Sequence, residues 1–140
     1  MPETKKYVNV GNFAVKDAFD NKYKSSLPKV MKAATEKAVN ASSKLTAKPP
    51  SDKNTEGFYV DGTLTSLTKT AKGSMCVVEG EIKMLLATWP KKSMFAFPSA
   101  SAKIEAGTSD KIDDVVSDLA KALVEAGLDK AIPELEKRAK

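Results

Sequence analysis

Few side chains in this sequence of 140 residues are of a type that performs catalysis. Histidine is absent and Cys76 is the single cysteine. These two facts exclude Ser–His and Cys–His mechanisms, an intramolecular disulfide and multi-cysteine metal sites. A glycine-rich phosphate-binding loop is also missing. The sequence therefore contains no motif that indicates a reaction, and we predict no catalytic residue, no metal ligand and no cofactor.

Glu79 and Glu81 are the residues that would serve a carboxylate-based hydrolase. On one face of a strand they would lie roughly 6.6 Å apart, within reach of paired-carboxylate hydrolysis. Lys83 continues the same face, which is typical of a solvated sheet surface, and we favour that interpretation. Cys76 alternates with apolar residues on the opposite face, so we predict that it packs as a small hydrophobe.

A second group of residues indicates binding. Trp89 precedes the turn Pro90-Lys91-Lys92, and Phe95 and Phe97 follow that turn. An aromatic side chain flanked by lysines at the end of a hairpin would anchor a partner protein or touch a membrane surface. The interpretation that we favour for these residues is that the rings close one end of the hydrophobic core, because aromatic side chains are mostly buried.

A third group lies in the lysine-rich first part of the chain. The formal net charge is +5, and residues 1–53 hold eleven lysines against five acidic residues. Lys29, Lys32 and Lys37 fall on the outer face of a predicted helix, where they would meet phosphates or an acidic protein surface. A solvated helix face is the default interpretation of these lysines, and a polyanion site is the alternative to it. Arg138 is the only arginine, whereas sequence-specific DNA readers rely heavily on arginine.

The hydrophobic pattern predicts the elements that position these candidates. A first strand ends near Val15, a helix covers Leu27 to Ala41, and Lys44–Lys48 forms a short second strand. From Phe58 onward, and again from Cys76 to Leu86, apolar and polar residues alternate as in half-buried strands. Pro98 is expected at a bulge or a sheet edge, because proline cannot donate to a sheet ladder.

The last part of the sequence is predicted to be helical. Ser109 or Asp110 would cap a helix over Ile112–Ala126, and Gly127 would end that helix. A short further helix, disturbed at Pro133, would cover Leu128 to Lys140.

These elements predict an α/β fold of the α+β type. The expected sheet is mostly antiparallel and has four or five strands. Two main helices would pack on the even face of Cys76–Leu86, and the short C-terminal helix would be added to them. We expect residues 1–140 to form a single domain, with flexible segments at 1–5, 48–56 and 136–140.

The predicted order of elements resembles a domain of the bacterial cell envelope. The resemblance is carried by Gly57-Phe58-Tyr59-Val60-Asp61-Gly62-Thr63-Leu64, similar to a glycine-led strand, and by Ser109–Leu123, similar to a closing helix. The family includes the curli-assembly lipoprotein, the lipoprotein activator of penicillin-binding proteins and the amino-terminal domain of TolB. This sequence departs from it at the hairpin, where Trp89–Lys92 replaces a glycine-bearing turn, and has no lipid-attachment cysteine near Met1. The resemblance implies a non-catalytic role in contacting other envelope proteins, and it assigns no binding residue.

We therefore expect a protein-binding or assembly module of the bacterial envelope, whose partner is another protein. The candidate interaction surface consists of Lys29, Lys32, Lys37, Trp89, Lys91 and Lys92. The alternative is a domain that binds nucleic acid or another polyanion through the lysine-rich helix. We expect no transmembrane segment, because no stretch approaches the roughly 18 consecutive apolar residues that one requires. A periplasmic or envelope location is expected if a leader was removed, and a cytoplasmic one otherwise. The sequence leaves the oligomeric state open.

Overall fold

Seven strands and two helices form an α+β fold within the residues that the computed structural model describes, namely 5–52, 55–107 and 110–139. In chain order the elements are β1 Lys6–Val10, β2 Ala14–Val15, α1 Tyr23–Ala41, β3 Leu45–Thr46, β4 Gly57–Lys72, β5 Met75–Trp89, β6 Met94–Ala96, β7 Ser99–Gly107 and α2 Ile112–Arg138. The short second strand predicted around Leu45 is confirmed. No helix in these described parts is both long and apolar enough to cross a membrane.

The sheet is mixed. β4 and β5 form a long antiparallel hairpin, and β6 and β7 both pair antiparallel with the outer side of β5. On the other side, β1 and β2 lie along β4 and run parallel to it, and β3 runs parallel to β1. Parallel pairing is possible here because α1 carries the chain back across the sheet between β2 and β3.

The predicted strand number is wrong, and the predicted direction holds only for most of the sheet. Two rows of the sheet are each divided into two strands: β1 and β2 are separated at 11–13, and β6 and β7 at 97–98. Pro98 does lie at this break on the edge row, as predicted, and its carbonyl oxygen accepts a hydrogen bond from the backbone N–H of Met84 at 2.7 Å.

The core lies between the sheet and the two helices. Along β5, Val78, Ile82, Met84 and Leu86 are buried, which confirms that the even face of this strand points towards the helices. The helices contribute matching apolar stripes to the same cluster: Leu27, Met31 and Val39 from α1, and Val116, Leu119, Leu123, Leu128, Ala131 and Leu135 from α2. Neither of the two helices in the described residues packs on the opposite face, which carries the odd positions of β5.

The predicted stop at Gly127 and the separate C-terminal helix are wrong, because α2 continues without a break to Arg138. Gly127 has a packing role instead: a Cβ atom there would lie 2.8 Å from Sδ of Met84. Beyond it, Leu128, Ala131 and Leu135 continue the buried stripe. Pro133 removes one helical hydrogen bond, and both Pro133 and Asp129, whose carbonyl group loses that bond, are exposed residues.

A polar contact joins the beginnings of the two helices. α1 begins at Tyr23, one turn before the predicted Leu27. The buried Tyr23 hydroxyl donates to Oδ1 of Asp113 at 2.7 Å, and Nζ of Lys22 lies 2.9 Å from the same oxygen. These two donors lower the pKa of the Asp113 carboxyl. Burial first, and then the bond to Asp113, raise the pKa of the Tyr23 phenol.

The predicted cap of α2 and the predicted flexible segments are only partly covered by the described residues. Asp110 does not cap α2; its carboxylate accepts the backbone N–H of Gly107 at 2.8 Å, and Lys111 occupies the N-cap position. Ser109, the other predicted cap, lies outside the described residues, as do positions 1–4, 53, 54 and 140 of the segments expected to be flexible. The single domain and the remaining flexibility stay predictions.

Candidate functional site

Three aromatic side chains meet on the face of the sheet opposite the helices. The Trp89 ring stacks on Tyr59, with ring centroids 6.2 Å apart and planes inclined by 16°. Tyr7 meets the indole of Trp89 edge to face at 6.3 Å. The three residues come from β1, β4 and β5, where those strands lie side by side. Together with Lys92, which lies over two of the rings, these three residues form a surface that we call the aromatic platform.

Lys92 lies in the turn that follows β5 and places its side chain over two of the three rings. Its Nζ atom lies 4.5 Å from the ring centroid of Tyr59 and 5.7 Å from that of Trp89, within cation–π range. The turn is closed on Thr88, which accepts the backbone N–H groups of Lys92 at 2.8 Å and of Ser93 at 3.1 Å. Lys92 has a φ of 57°, a left-handed conformation that is unfavourable for residues other than glycine.

Polar contacts and a close backbone approach hold the tyrosines in place. The Tyr59 hydroxyl donates to Oδ2 of Asp61 at 2.8 Å, and Nδ2 of Asn9 donates to the Tyr7 hydroxyl at 2.8 Å. Gly11 lies directly against the Tyr59 ring, so that a Cβ atom at this position would collide with the hydroxyl group. The position of Tyr59 therefore depends on a glycine in the loop between β1 and β2.

We expect Tyr59 to ionise late and to destabilise the fold when it does. Burial, reinforced by the hydrogen bond to Asp61, raises the pKa of this phenol from 10.0 to about 12. Because the protonated form is the stabilised one, its contribution is complete below about pH 10 and is lost as the pH rises to about 12.

Spectrophotometric titration of tyrosinate checks this prediction. The Tyr59→Phe variant should lose part of the absorbance change that occurs at high pH. The remaining part comes from Tyr23, whose pKa is also raised. The alkaline fall of the thermal unfolding midpoint should also be smaller in the variant. An unchanged late phase would show that Tyr59 is not held as the structure has it.

The platform continues into exposed apolar surface. Ala87 pairs with Tyr59 on one side and with Met94 on the other, so the three residues form a row across the sheet. Ala87 is fully buried, which shows that its neighbours cover it, whereas Met94 is 61% exposed. Phe97, at the break in the edge row, is 66% exposed. Large apolar side chains in contact with solvent beside an aromatic cluster are typical of a surface that binds a partner.

A basic cleft of about 520 Å³ adjoins the platform at the same end of the sheet. Lys6, Lys91 and Arg138 line it, with Glu56 as the acidic residue among the lining side chains, and Phe58 and Trp89 contribute apolar wall. The Arg138 guanidinium lies 4.1 Å from the ring centroid of Phe95, and its Nε donates to Glu134 at 3.1 Å. The cleft therefore presents an excess of positive charge next to Trp89.

The predicted lysines on the first helix belong to another surface. Lys29 and Lys37, joined by Lys121 from α2, border a groove of about 700 Å³ between the helices, and alanine side chains of α1 line it. Lys32 points elsewhere, with Nζ 3.5 Å from Oδ1 of Asn12. The six residues of the predicted interaction surface thus do not form one patch: Trp89, Lys91 and Lys92 lie together, and the helix lysines lie on the other side of the sheet.

The remaining candidates lie on the sheet away from the platform. Glu79 and Glu81 are exposed; Glu81 accepts a hydrogen bond from the Thr65 hydroxyl at 3.0 Å, and Glu79 pairs across strands with Lys103. Cys76 is half-buried in the helix-facing row. In the described parts of the chain, no three cysteine or acidic side chains lie close enough together to hold a metal ion.

The sequence pointed to Trp89 and Lys92 but not to Tyr7, Tyr59 or Met94. Tyr59 alternates with the inward-facing residues of β4, which places it on the open face, and this was a usable signal. No local sequence pattern predicts that the three rings form a cluster. They meet only because of the register in which β1, β4 and β5 pair.

Comparison with known proteins identifies the fold but no family. No protein-family model matches the sequence, and no curated protein matches it. Among solved structures, a protein of Helicobacter pylori described as a neuraminyllactose-binding hemagglutinin homologue is 10% identical, with 99% of this chain and 87% of that chain covered and a TM-score of 0.61. A Xanthomonas campestris protein assigned to DUF330 is 11% identical, with coverage of 96% and 86% and a TM-score of 0.58. A minor lipoprotein of Acinetobacter baumannii is 6% identical, with coverage of 95% and 94% and a TM-score of 0.54. At these identities the likeness extends to the fold alone.

Proposed function

We propose that this chain is a non-catalytic protein-binding module of the bacterial envelope and that the aromatic platform is its contact surface. One observation carries the proposal: Trp89 stacks on Tyr59 beside the exposed Met94, on a sheet face that no described helix covers. Tryptophan, tyrosine and methionine are enriched where proteins bind one another. Tryptophan and tyrosine bury much apolar area at a small cost in side-chain entropy, and the flexible methionine side chain adapts to the shape of a partner.

The basic cleft specifies the chemistry of the partner. A segment with an apolar or aromatic side chain would pack on Trp89 and Tyr59, and a neighbouring carboxylate would enter the cleft near Lys91 and Arg138. Charged groups of opposite sign at the rim of an apolar contact mainly provide specificity and a faster encounter. The partner is therefore an acidic protein segment with an exposed apolar side chain.

The backbone of Lys92 supports a functional turn. A glycine would adopt its left-handed conformation freely, whereas a lysine pays roughly 1 kcal/mol or more. The conformation carries the ammonium group of Lys92 over the rings of Tyr59 and Trp89. Positive charge is thus held at the aromatic surface, where an acidic partner would meet it.

The envelope part of the proposal draws on the fold. Two of the proteins with this fold are described as a hemagglutinin homologue and as a minor lipoprotein, and both descriptions fit the cell surface or envelope. The narrower resemblance to the curli-assembly lipoprotein, the activator of penicillin-binding proteins and TolB stays a prediction.

Polyanion binding is the second candidate function. It is favoured by the convergence of Lys29, Lys37 and Lys121 around the groove between the helices. Binding of this kind would weaken steeply with salt, because it releases counterions from the polyanion. It would not depend on Trp89, which lies on the other face of the sheet.

Affinity capture with two variants distinguishes the candidates. The tagged chain is incubated with an envelope extract of the source cells, with and without nuclease, and retained proteins are identified by mass spectrometry. We expect wild type and the Lys29→Glu/Lys37→Glu/Lys121→Glu variant to retain the same protein, resistant to nuclease, and Trp89→Ala to lose it. Retention that vanishes with nuclease or with the lysine substitutions would overturn the proposal in favour of polyanion binding. Failure to retain any specific protein would also count against it.

A further inference from the structure

The outer strand β7 has a free edge that is separate from the aromatic platform. β7 runs for nine residues and pairs with β5 along one side. Along its other side it pairs with no strand of the described residues. Between its two ends, this edge therefore presents backbone N–H and C=O groups that no strand of the described residues pairs with, and another strand can pair with such groups.

We propose that a second copy of this chain pairs antiparallel with β7 and joins the two sheets into one. The twofold axis of such a pair stands perpendicular to the sheet, so the open faces of both copies point the same way. The pairing centres on Ile104, which faces the second copy's Ile104. Ile104 is only half-buried beside α2 in one copy, and its counterpart covers it further.

The charges along β7 select this register. With Ile104 on the axis, Lys103 of each copy lies directly opposite Glu105 of the other, so that two identical ion pairs form. Moving the axis to Lys103 sets the two lysines against each other, and moving it to Glu105 sets the two glutamates against each other. Both alternatives are repulsive, because directly opposite side chains on a strand pair are in contact.

A side-chain contact at the start of β7 limits where the pairing with a second copy can begin. Nζ of Lys130 donates to the carbonyl oxygen of Ser99 at 2.6 Å, so this backbone group already has a partner. At the other end of β7 the backbone of Gly107 is also occupied, because the Asp110 carboxylate accepts its N–H at 2.8 Å and its carbonyl oxygen accepts the backbone N–H of Asp110 at 3.1 Å. The paired stretch is therefore confined to Ala102–Ala106, between these two contacts, where Lys103 of each copy exchanges backbone hydrogen bonds with Glu105 of the other.

The dimer would present two aromatic platforms on one side of a continuous sheet. A partner with two copies of its binding segment would then bind far more tightly than a single site allows, because the second contact is intramolecular. The dimer itself does not depend on the platform, and it is tested without any partner.

Sedimentation velocity over a range from micromolar to millimolar protein tests the proposal. We expect a reversible dimer that dissociates on dilution. The Glu105→Lys variant faces Lys103 with a like charge and should dissociate about tenfold more readily. The double variant Lys103→Glu/Glu105→Lys restores opposite charges and should recover the wild-type dimer. Glu81→Lys makes the same change of charge on the same face but off the edge, and it should not alter dimerisation.

Folding is monitored separately, because Lys103 lies opposite Glu79 of its own chain. Glu105 lies opposite Val77, so its substitution breaks no cross-strand ion pair within the copy. The unfolding midpoint of each variant in urea shows whether the fold survives. A monomer throughout the concentration range would overturn the proposal. The proposal would also be overturned if Glu105→Lys left the dissociation of the dimer unchanged, or if the double variant dissociated as readily as the single variant.

Discussion

Replacing Trp89 by alanine is expected to weaken binding of the captured partner about a hundredfold. The indole is the central ring of the aromatic platform, since it stacks on Tyr59 and also contacts Tyr7. Its loss removes the largest apolar contact that a partner would make and leaves Lys92 over one ring instead of two. Truncated aromatic residues at the centre of an interface typically cost about 2–4 kcal/mol.

Calorimetric titration of the purified partner measures this effect. Trp89 is the only tryptophan of the chain, so wild-type binding can also be followed through its fluorescence. Lys83→Ala is the matched control, because Lys83 is exposed on the same face of β5 but away from the platform. Trp89→Phe keeps an aromatic ring and should lie between wild type and Trp89→Ala. Equal affinities of wild type and a folded Trp89→Ala variant would remove the platform from the binding site.

Substituting Gly57 by alanine should lower the free energy of unfolding by about 3 kcal/mol. β1 runs so close to β4 at this position that an added Cβ atom would collide with the carbonyl oxygen of Tyr7, and it would lie 3.1 Å from the carbonyl carbon. A side chain could rotate away from such a contact, whereas a paired backbone cannot. The two strands must separate, which also displaces the Tyr7 ring from Trp89.

Urea unfolding of this variant beside Gly107→Ala provides the comparison. Gly107 also lies at the end of a strand, but a Cβ atom there would have its nearest neighbour at 3.7 Å, an ordinary contact. This control should stay within about 0.5 kcal/mol of wild type. If both variants unfold at the same urea concentration, the close approach of β1 to β4 is not rigid, and the assigned cause is wrong.

The part of the fold that follows from local spacing was predictable. The alternation from Cys76 to Leu86 identified which face of β5 is buried, because successive side chains on a strand point to opposite sides. The stripe of α1 and the short strand at Leu45 followed in the same way. The prediction failed at Gly127 and Pro133, where residues that usually end helices are tolerated because the buried stripe of α2 extends past them.

The sequence by itself thus determined the α+β class, the buried face of β5, the absence of histidine chemistry and the position of Trp89 beside two lysines. Only the tertiary structure decided that β1, β2 and β3 run parallel to their neighbours, and that Tyr7 and Tyr59 join Trp89 in one cluster. The physical reason is the same in both cases. Strand direction and register depend on how distant segments pair and on where a glycine permits close approach, and local composition carries little information about either.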